Sequence, residues 1–207
     1  MIVIPYGEIT APGRAKKVRD CLRDEGVIAY PTDTLYGLGG NFFSLAASAR
    51  IDAMKGRSAQ PYSVAVGSLA MLQSLVADLP VVFRERLQRL LPGKFTFLFA
   101  PALTINPILL RGSERIGIRL PSLPGLLGLI EETGLPWLST SVNRSGRPPL
   151  NDPERIVREF SGIDLLIDGG MLPASAGSTV VDLTVAPPRI VRPGDDHEKI
   201  SAALEGA

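Results

Sequence analysis

Short apolar runs alternate with amphipathic segments along the whole chain. Residues 14–25 put Val18, Cys21 and Leu22 on one face and stop before Gly26, which predicts a helix closed by a glycine cap. The run Val27 to Tyr30 is apolar throughout and too short for a helix, so it predicts a buried strand. Further helices are predicted over residues 45–54, 69–77 behind a Ser68 cap, 80–91, 152–160 with proline in the first turn, and 196–204. Strands are predicted over 63–66, 95–100, 116–120, 137–140, 165–168, 179–183 and 190–192. The alternation gives an α/β fold class. Runs this short leave parallel and antiparallel pairing open. With no repeat and no long linker, residues 1–207 are predicted to form a single domain.

Composition narrows the chemistry. A chain of 207 residues suffices for one sizeable core, and a formal charge of +1 argues against a generally basic coat without excluding a local basic groove. The single cysteine, Cys21, rules out an internal disulfide and reads as a packed hydrophobe. The single histidine, His197, lies in a charged C-terminal segment and reads as solvated. Zinc sites built on several His or Cys ligands are therefore excluded, and a Ser-His-Asp triad would have to use that residue. The start of the chain lacks a signal-peptide pattern, and no run reaches the roughly 18 apolar residues of a membrane span, so a cytoplasmic location is expected.

Four segments carry more polar groups than packing requires. "PTDTLYGLGGN" supplies Thr32, Thr34 and Tyr36 with three glycines, and "MKGRSAQP" sets Lys55 and Arg57 two apart. "STSVNRSGRPP" sets Ser141 and Asn143 two apart, with Ser145 and Arg147 behind them. "GSTVVDL" gives Ser178, Thr179 and Asp182, and "IVRPG" adds Arg192. Each alone has an ordinary reading as a turn or a solvated pair. The familiar phosphate loops are absent: Phe42 stands where a dinucleotide fingerprint needs its third glycine, and Gly93-Lys94 lacks the glycine that opens a P-loop.

Taken in order, "PTDTLYGLG", "KGR", "IGIRLP", "STSVNRSG", "STVVDL" and "VRPG" resemble the YrdC/Sua5 family of threonylcarbamoyl-AMP synthases over about residues 26–194. The family's Lys-x-Arg…Ser-x-Asn tetrad is complete as Lys55, Arg57, Ser141 and Asn143. The chain matches the short, single-domain form. Ser58 replaces a proline, Ala65 a histidine that touches the amino acid, and Lys94-Phe95 a Pro-Leu pair. These changes are similar to those of the YciO-like branch.

The resemblance implies a twisted mixed sheet flanked by helices, with a concave basic cleft and a core over about residues 14–194. It implies a reaction that joins L-threonine, bicarbonate and ATP into threonylcarbamoyl-AMP, releases pyrophosphate and serves adenosine-37 modification of tRNA. By the same resemblance Thr34, Arg119, Ser141 and Ser178 hold threonine. Lys55, Arg57, Gln60, Asn143, Asn151 and Arg192 hold ATP, Mg2+ arrives on the phosphates without a protein metal site, and the machinery that transfers the threonylcarbamoyl group is the expected partner. Ala65 then implies a weaker threonine contact than histidine provides. Two other classes fit the resemblance. One is a double-stranded RNA or tRNA-binding module using Arg14, Lys16, Lys17, Arg50, Lys55, Arg57, Arg144 and Arg147, without synthase activity. The other is carbamoyl-adenylate chemistry on another amine.

Overall fold

The computed structural model describes residues 1–56, 60–77 and 81–205. Its strands are β1 (Ile2–Pro5), β2 (Ile28–Tyr30), β3 (Gly37–Gly39), β4 (Ser63–Ala65), β5 (Phe95–Phe99), β6 (Ile116–Arg119), β7 (Trp137–Ser141), β8 (Leu165–Asp168), β9 (Thr179–Asp182) and β10 (Arg189–Arg192). The helices are α1 (Arg14–Arg23), α2 (Leu45–Lys55), α3 (Leu69–Leu75), α4 (Val81–Leu90), α5 (Leu126–Thr133), α6 (Pro153–Glu159) and α7 (His197–Glu205). Helix starts follow local chemistry. Ser44, Ser68 and Asp152 side chains accept hydrogen bonds from Ala47 N, Met71 N and Glu154 N, satisfying amides that no helical carbonyl reaches.

All ten strands join one mixed sheet in the order β1-β8-β2-β3-β7-β4-β6-β5-β9-β10. Parallel pairs (β1/β8, β2/β8, β4/β6, β5/β9) and antiparallel ones (β2/β3, β3/β7, β4/β7, β5/β6, β9/β10) are both present. One face is apolar across its width, with Ala29, Leu38, Leu138, Val64, Ile118, Phe97 and Val181 in the larger core. The opposite face is divided. At one end Ile28, Tyr30, Trp137, Ala65, Leu165 and Ile167 pack with Val18 and Leu22 of α1 and Leu126, Leu129 and Ile130 of α5. At the other end β3, β7, β4 and β6 present Gly37, Ser141, Ser139, Ser63 and Arg119, and these line a cleft.

Three elements differ from the reading of the sequence. β1 lies before the expected core start at residue 14, yet it pairs with β8 along its whole length. β3 is Gly-Leu-Gly, a composition with little intrinsic strand preference. It is held as a strand by pairing with β2 and β7, and it needs glycine because the Tyr30 ring lies across it: a Cβ on Gly37 would stand 2.8 Å from Tyr30 Cζ, and one on Gly39 would stand 2.9 Å from the same ring. α5 carries Gly128 in the middle of an apolar run, which hides its helical period, although the buried positions 126, 129, 130 and 133 follow that period. The cap of α1 also differs. Glu25, not Gly26, takes the left-handed conformation at φ 60°, and Gly26 is required because a Cβ there would meet Cys21 O at 2.5 Å. Residue 80, the expected start of α4, lies outside the described residues; α3 stops at Leu75 because Val76 turns extended and bridges Pro101.

Candidate active site

The uncovered end of the divided face is the floor of a cleft of about 370 Å³. Strand alternation makes the floor polar. β7 sends Leu138 into the larger core and Ser139 and Ser141 into the cleft, and β5 sends Phe95 and Phe97 into the core while Thr96 faces the cleft. The walls are the loop after β2, the end of α2, the loop after β7 and the segment before β9, which supply Thr34, Lys55, Asn143 and Ser178.

Lys55 ends α2 and is nearly fully buried. Its Nζ donates to Ser141 O (2.5 Å), Asn143 O (3.1 Å) and Asn143 Oδ1 (2.9 Å). Asn143 Oδ1 also accepts from Ser141 Oγ (2.6 Å), and its Nδ2 donates to Arg144 O (3.0 Å) and Arg147 O (2.7 Å). Every hydrogen-bonding position of that amide is thus engaged in shaping its own loop. Three members of the tetrad form one bonded unit. Arg57, the fourth, lies outside the described residues, as does Ser58.

Across the cleft, Arg119 Nη2 donates to Asp33 Oδ1 (2.8 Å), Thr34 Oγ1 (3.2 Å) and Thr32 Oγ1 (3.4 Å), while Asp33 Oδ2 accepts from Ser122 N (2.8 Å). Asp33 is a site residue that the sequence reading quoted without giving it a role. Burial of both partners makes this pair one whose disruption costs far more than that of a surface bridge. Arg119 Nε is buried and without a partner among the described residues. Arg192 Nη2 donates to Ser178 O (2.8 Å) and Ser178 Oγ (3.3 Å), and Ser178 Oγ lies 2.8 Å from Thr96 Oγ1. Burial, then the nearby charge of Arg119, lowers the pKa of the Arg192 guanidinium from its ordinary value. Among the described lining residues Lys55, Arg119 and Arg192 bring positive charge and no carboxylate is present. A hollow charged in this way favours an anion.

Of the predicted site residues, the structure brings Thr34, Lys55, Arg119, Ser141, Asn143, Ser178 and Arg192 into this one cleft. Gln60 is exposed beside the lining residue Pro61 and is not itself in the lining. Asn151 also falls outside it: its Nδ2 donates to Leu172 O (2.7 Å) and its backbone carbonyl accepts from Leu172 N (2.9 Å), so it ties two loops together. Ala65 is fully buried in the covered half, opposite Trp137 and Arg119, and does not line the cleft. Thr96 was missed, although a threonine between two phenylalanines is the signal of a strand with one wet face.

Outside the cleft, Lys94 stands 3.6 Å from Asp195. Asp195 accepts from Ser175 Oγ (2.7 Å) and Ala176 N (2.9 Å), so the lysine helps to hold the segment that precedes Ser178. Tyr36 is itself among the cleft-lining residues; its hydroxyl donates to Gly170 O (2.8 Å) and accepts from Gly169 N (2.9 Å), and burial pushes it up to about 12. His197 Nδ1 lies 3.2 Å from Gly194 O, and the ring is not in the cleft lining. Cys21 is half-buried, and burial raises its thiol to about 11. Several of the cations expected to form a basic surface are paired: Arg14 with Glu8, Lys16 with Asp20 (2.6 Å) and Arg50 with Asp164 (2.8 Å). No helix among the described residues is long and apolar enough to cross a membrane, and no group of three or more His, Cys, Asp or Glu among them forms a metal site.

The family model Sua5/YciO/YrdC, described as "Telomere recombination", matches residues 20–194. The chain is 33% identical over 175 residues to a threonylcarbamoyl-AMP synthase of Pyrococcus abyssi, covering 84% of this chain and 52% of that protein. It is 33% identical over 182 residues to a threonylcarbamoyl-AMP synthase of Methylobacillus flagellatus, covering 87% of this chain and 99% of that one. It therefore spans about half the length of the first relative and nearly all of the second. The crystal structure of P. abyssi Sua5 complexed with L-threonine superposes with a TM-score of 0.86 at 29% identity, over 98% of this chain and 61% of that one.

Proposed function

The chain belongs to the Sua5/YciO/YrdC family, and from that premise we propose that it is a threonylcarbamoyl-AMP synthase, a nucleotidyltransferase acting on L-threonine, bicarbonate and ATP. The observation that carries the proposal is the cleft itself, in which Lys55, Arg119 and Arg192 face a floor of serine and threonine hydroxyls, while the Asp33 carboxylate that pairs with Arg119 lies behind the lining. Bicarbonate and the triphosphate are anions, and zwitterionic threonine presents a carboxylate.

In this reading threonine enters beside Arg119, with Thr34 and the Thr96–Ser178 hydroxyl pair at hand for its polar groups. The threonine ammonium gives up one proton to solvent, the free amine condenses with bicarbonate, water leaves, and a carbamate anion results. A carbamate oxygen attacks the α-phosphorus of ATP, the bond to the bridging oxygen breaks, and pyrophosphate departs. Because the carbamate is already anionic, no side-chain base is required. The protein's task is positioning and charge compensation, and positioning alone supplies about 7–11 kcal/mol in well-oriented reactions. Lys55 and Arg192 provide fixed positive charge for the phosphates, joined in the proposal by Arg57, and Ser141 stands between the two substrates. Magnesium enters as the counter-ion of ATP. The described lining offers it no carboxylate ligand, and no step is assigned to it. The product would pass to a tRNA-modifying transfer machinery in the cytoplasm.

The test is to mix the protein with ATP, L-threonine and bicarbonate. Threonine-dependent pyrophosphate release with threonylcarbamoyl-AMP in the mass spectrum is the expected result. Release with another amine in place of threonine, or RNA retention with no release at all, would overturn it.

A further inference from the structure

We propose that Arg111, which lies outside the cleft, is a positioning residue that sets the placement of Lys55 and of the chain's return into β4. Arg111 follows a 3-10 turn, Pro107–Leu110, and takes the left-handed conformation at φ 56°. A non-glycine residue is uncommon there, and this one is anchored through its side chain. One guanidinium nitrogen donates to Asp52 Oδ2 and another to Ser48 Oγ. The guanidinium carbon lies 4.7 Å from the centroid of the Tyr62 ring, and Tyr62 Oη donates to Asp52 Oδ1 at 2.5 Å. Both members of the ion pair are largely buried, so solvent screens it little.

Ser48, Asp52 and Lys55 recur at i, i+4 and i+7, which places them on one face of α2. Arg111 grips the first two, and the third reaches Ser141 and Asn143. Rotation or sliding of α2 would therefore break the Arg111 fork and displace the Lys55 ammonium together. Tyr62, which lines the cleft, stands just before β4 and is held to the same aspartate. The cluster thus fixes both ends of the segment between α2 and β4. That segment carries one of the cations assigned above to ATP, so the functional meaning of the inference rests on the synthase reading.

The test compares wild type with Arg111→Met, Arg111→Lys and Tyr62→Phe by two readouts. The first does not depend on function: brief labelling with an amine-acylating reagent, followed by peptide mass spectrometry, compares Lys55 with exposed Lys16. Wild-type Lys55 is buried and slow, and local opening in Arg111→Met is expected to speed its labelling about tenfold while Lys16 is unchanged. Tyr62→Phe is expected to give a smaller rise, and Arg111→Lys, which keeps the charge but loses the fork, an intermediate one. The second readout is calorimetry. MgATP affinity is expected to fall about tenfold in Arg111→Met while threonine affinity stays the same, a split that general destabilisation does not produce. Unchanged Lys55 labelling in folded variants would overturn the proposal, as would equal losses for both ligands. If Arg111→Met does not fold, Tyr62→Phe decides by the same two readouts. Wild type that binds no ATP would remove the synthase reading, and the labelling result would still decide the positioning role.

Discussion

Strand β7 crosses two environments on one face of the sheet. Trp137 lies in the half roofed by α1 and α5, fully buried, its indole edge-on to Tyr30 with centroids 5.1 Å apart. Two and four residues further, Ser139 and Ser141 lie in the unroofed half and line the cleft. β4 makes the same change from Ala65 to Ser63. The covered half can be assembled from hydrophobic burial, at about 1.5–3 kcal/mol for each large apolar side chain. The open half gains little from burial and is organised by hydrogen bonds and ion pairs: Lys55 to the β7 loop, Arg119 to Asp33, and Arg192 to Ser178. The site exists where the helices stop covering the sheet.

Substitutions on the two sides should separate function from stability. Lys55→Ala removes the bonded centre of the open half and should lower threonine-dependent pyrophosphate release by at least about a hundredfold, the scale found when one transition-state contact is removed. A folded variant with full turnover would break the comparison. Trp137→Ala acts on the covered half and should cost about 3–5 kcal/mol in urea unfolding, while the folded fraction retains threonine-dependent release. Ala65→His probes the boundary. Ala65 is fully buried and lies outside the cleft lining, so overpacking should cost about 1–3 kcal/mol, and calorimetry should show no gain in threonine affinity. A tighter complex would place the cleft's edge further into the covered half than the structure does.

The smallest expected effect concerns pH and the open half alone. Burial by itself would raise the Asp195 carboxyl, but hydrogen bonds from Ser175 and Ala176 and the charge of Lys94 outweigh it and hold its pKa below the usual carboxylate range. The folded pKa lies below the unfolded value of about 3.9. Its contribution is therefore complete above that value and disappears as pH falls through the lower, folded pKa. Asp195→Asn should flatten the acid limb of stability measured between those limits, with no change near neutrality in its slope.

The strands and helices with regular apolar patterning were readable because local periodicity reports which face is buried: α2, β5, β6 and β9 are all near their expected places. β3 and α5 were not, because two glycines and a central Gly128 erase that signal, and only the pairing of β3 under the Tyr30 ring or the roof over the sheet explains them. Among site residues, Lys55, Ser141, Asn143, Arg119 and Ser178 stood out as polar groups at paired spacings or in recognisable motifs. Arg111 gave no such signal, since its partners lie 59 and 63 residues away.

By itself the sequence determined the α/β class, the set of hydroxyls and cations available for chemistry, and the absence of the cysteine and histidine numbers that several other mechanisms need. Only the tertiary structure decided which of those groups share a cleft, that Asn143 and Asn151 spend their amides on loop geometry, and that Ala65 belongs to the dry half. The reason is physical. Side-chain chemistry and local periodicity are properties of neighbouring residues, whereas exposure and convergence depend on strand order and on where α1 and α5 end, and those follow from contacts distant in the chain.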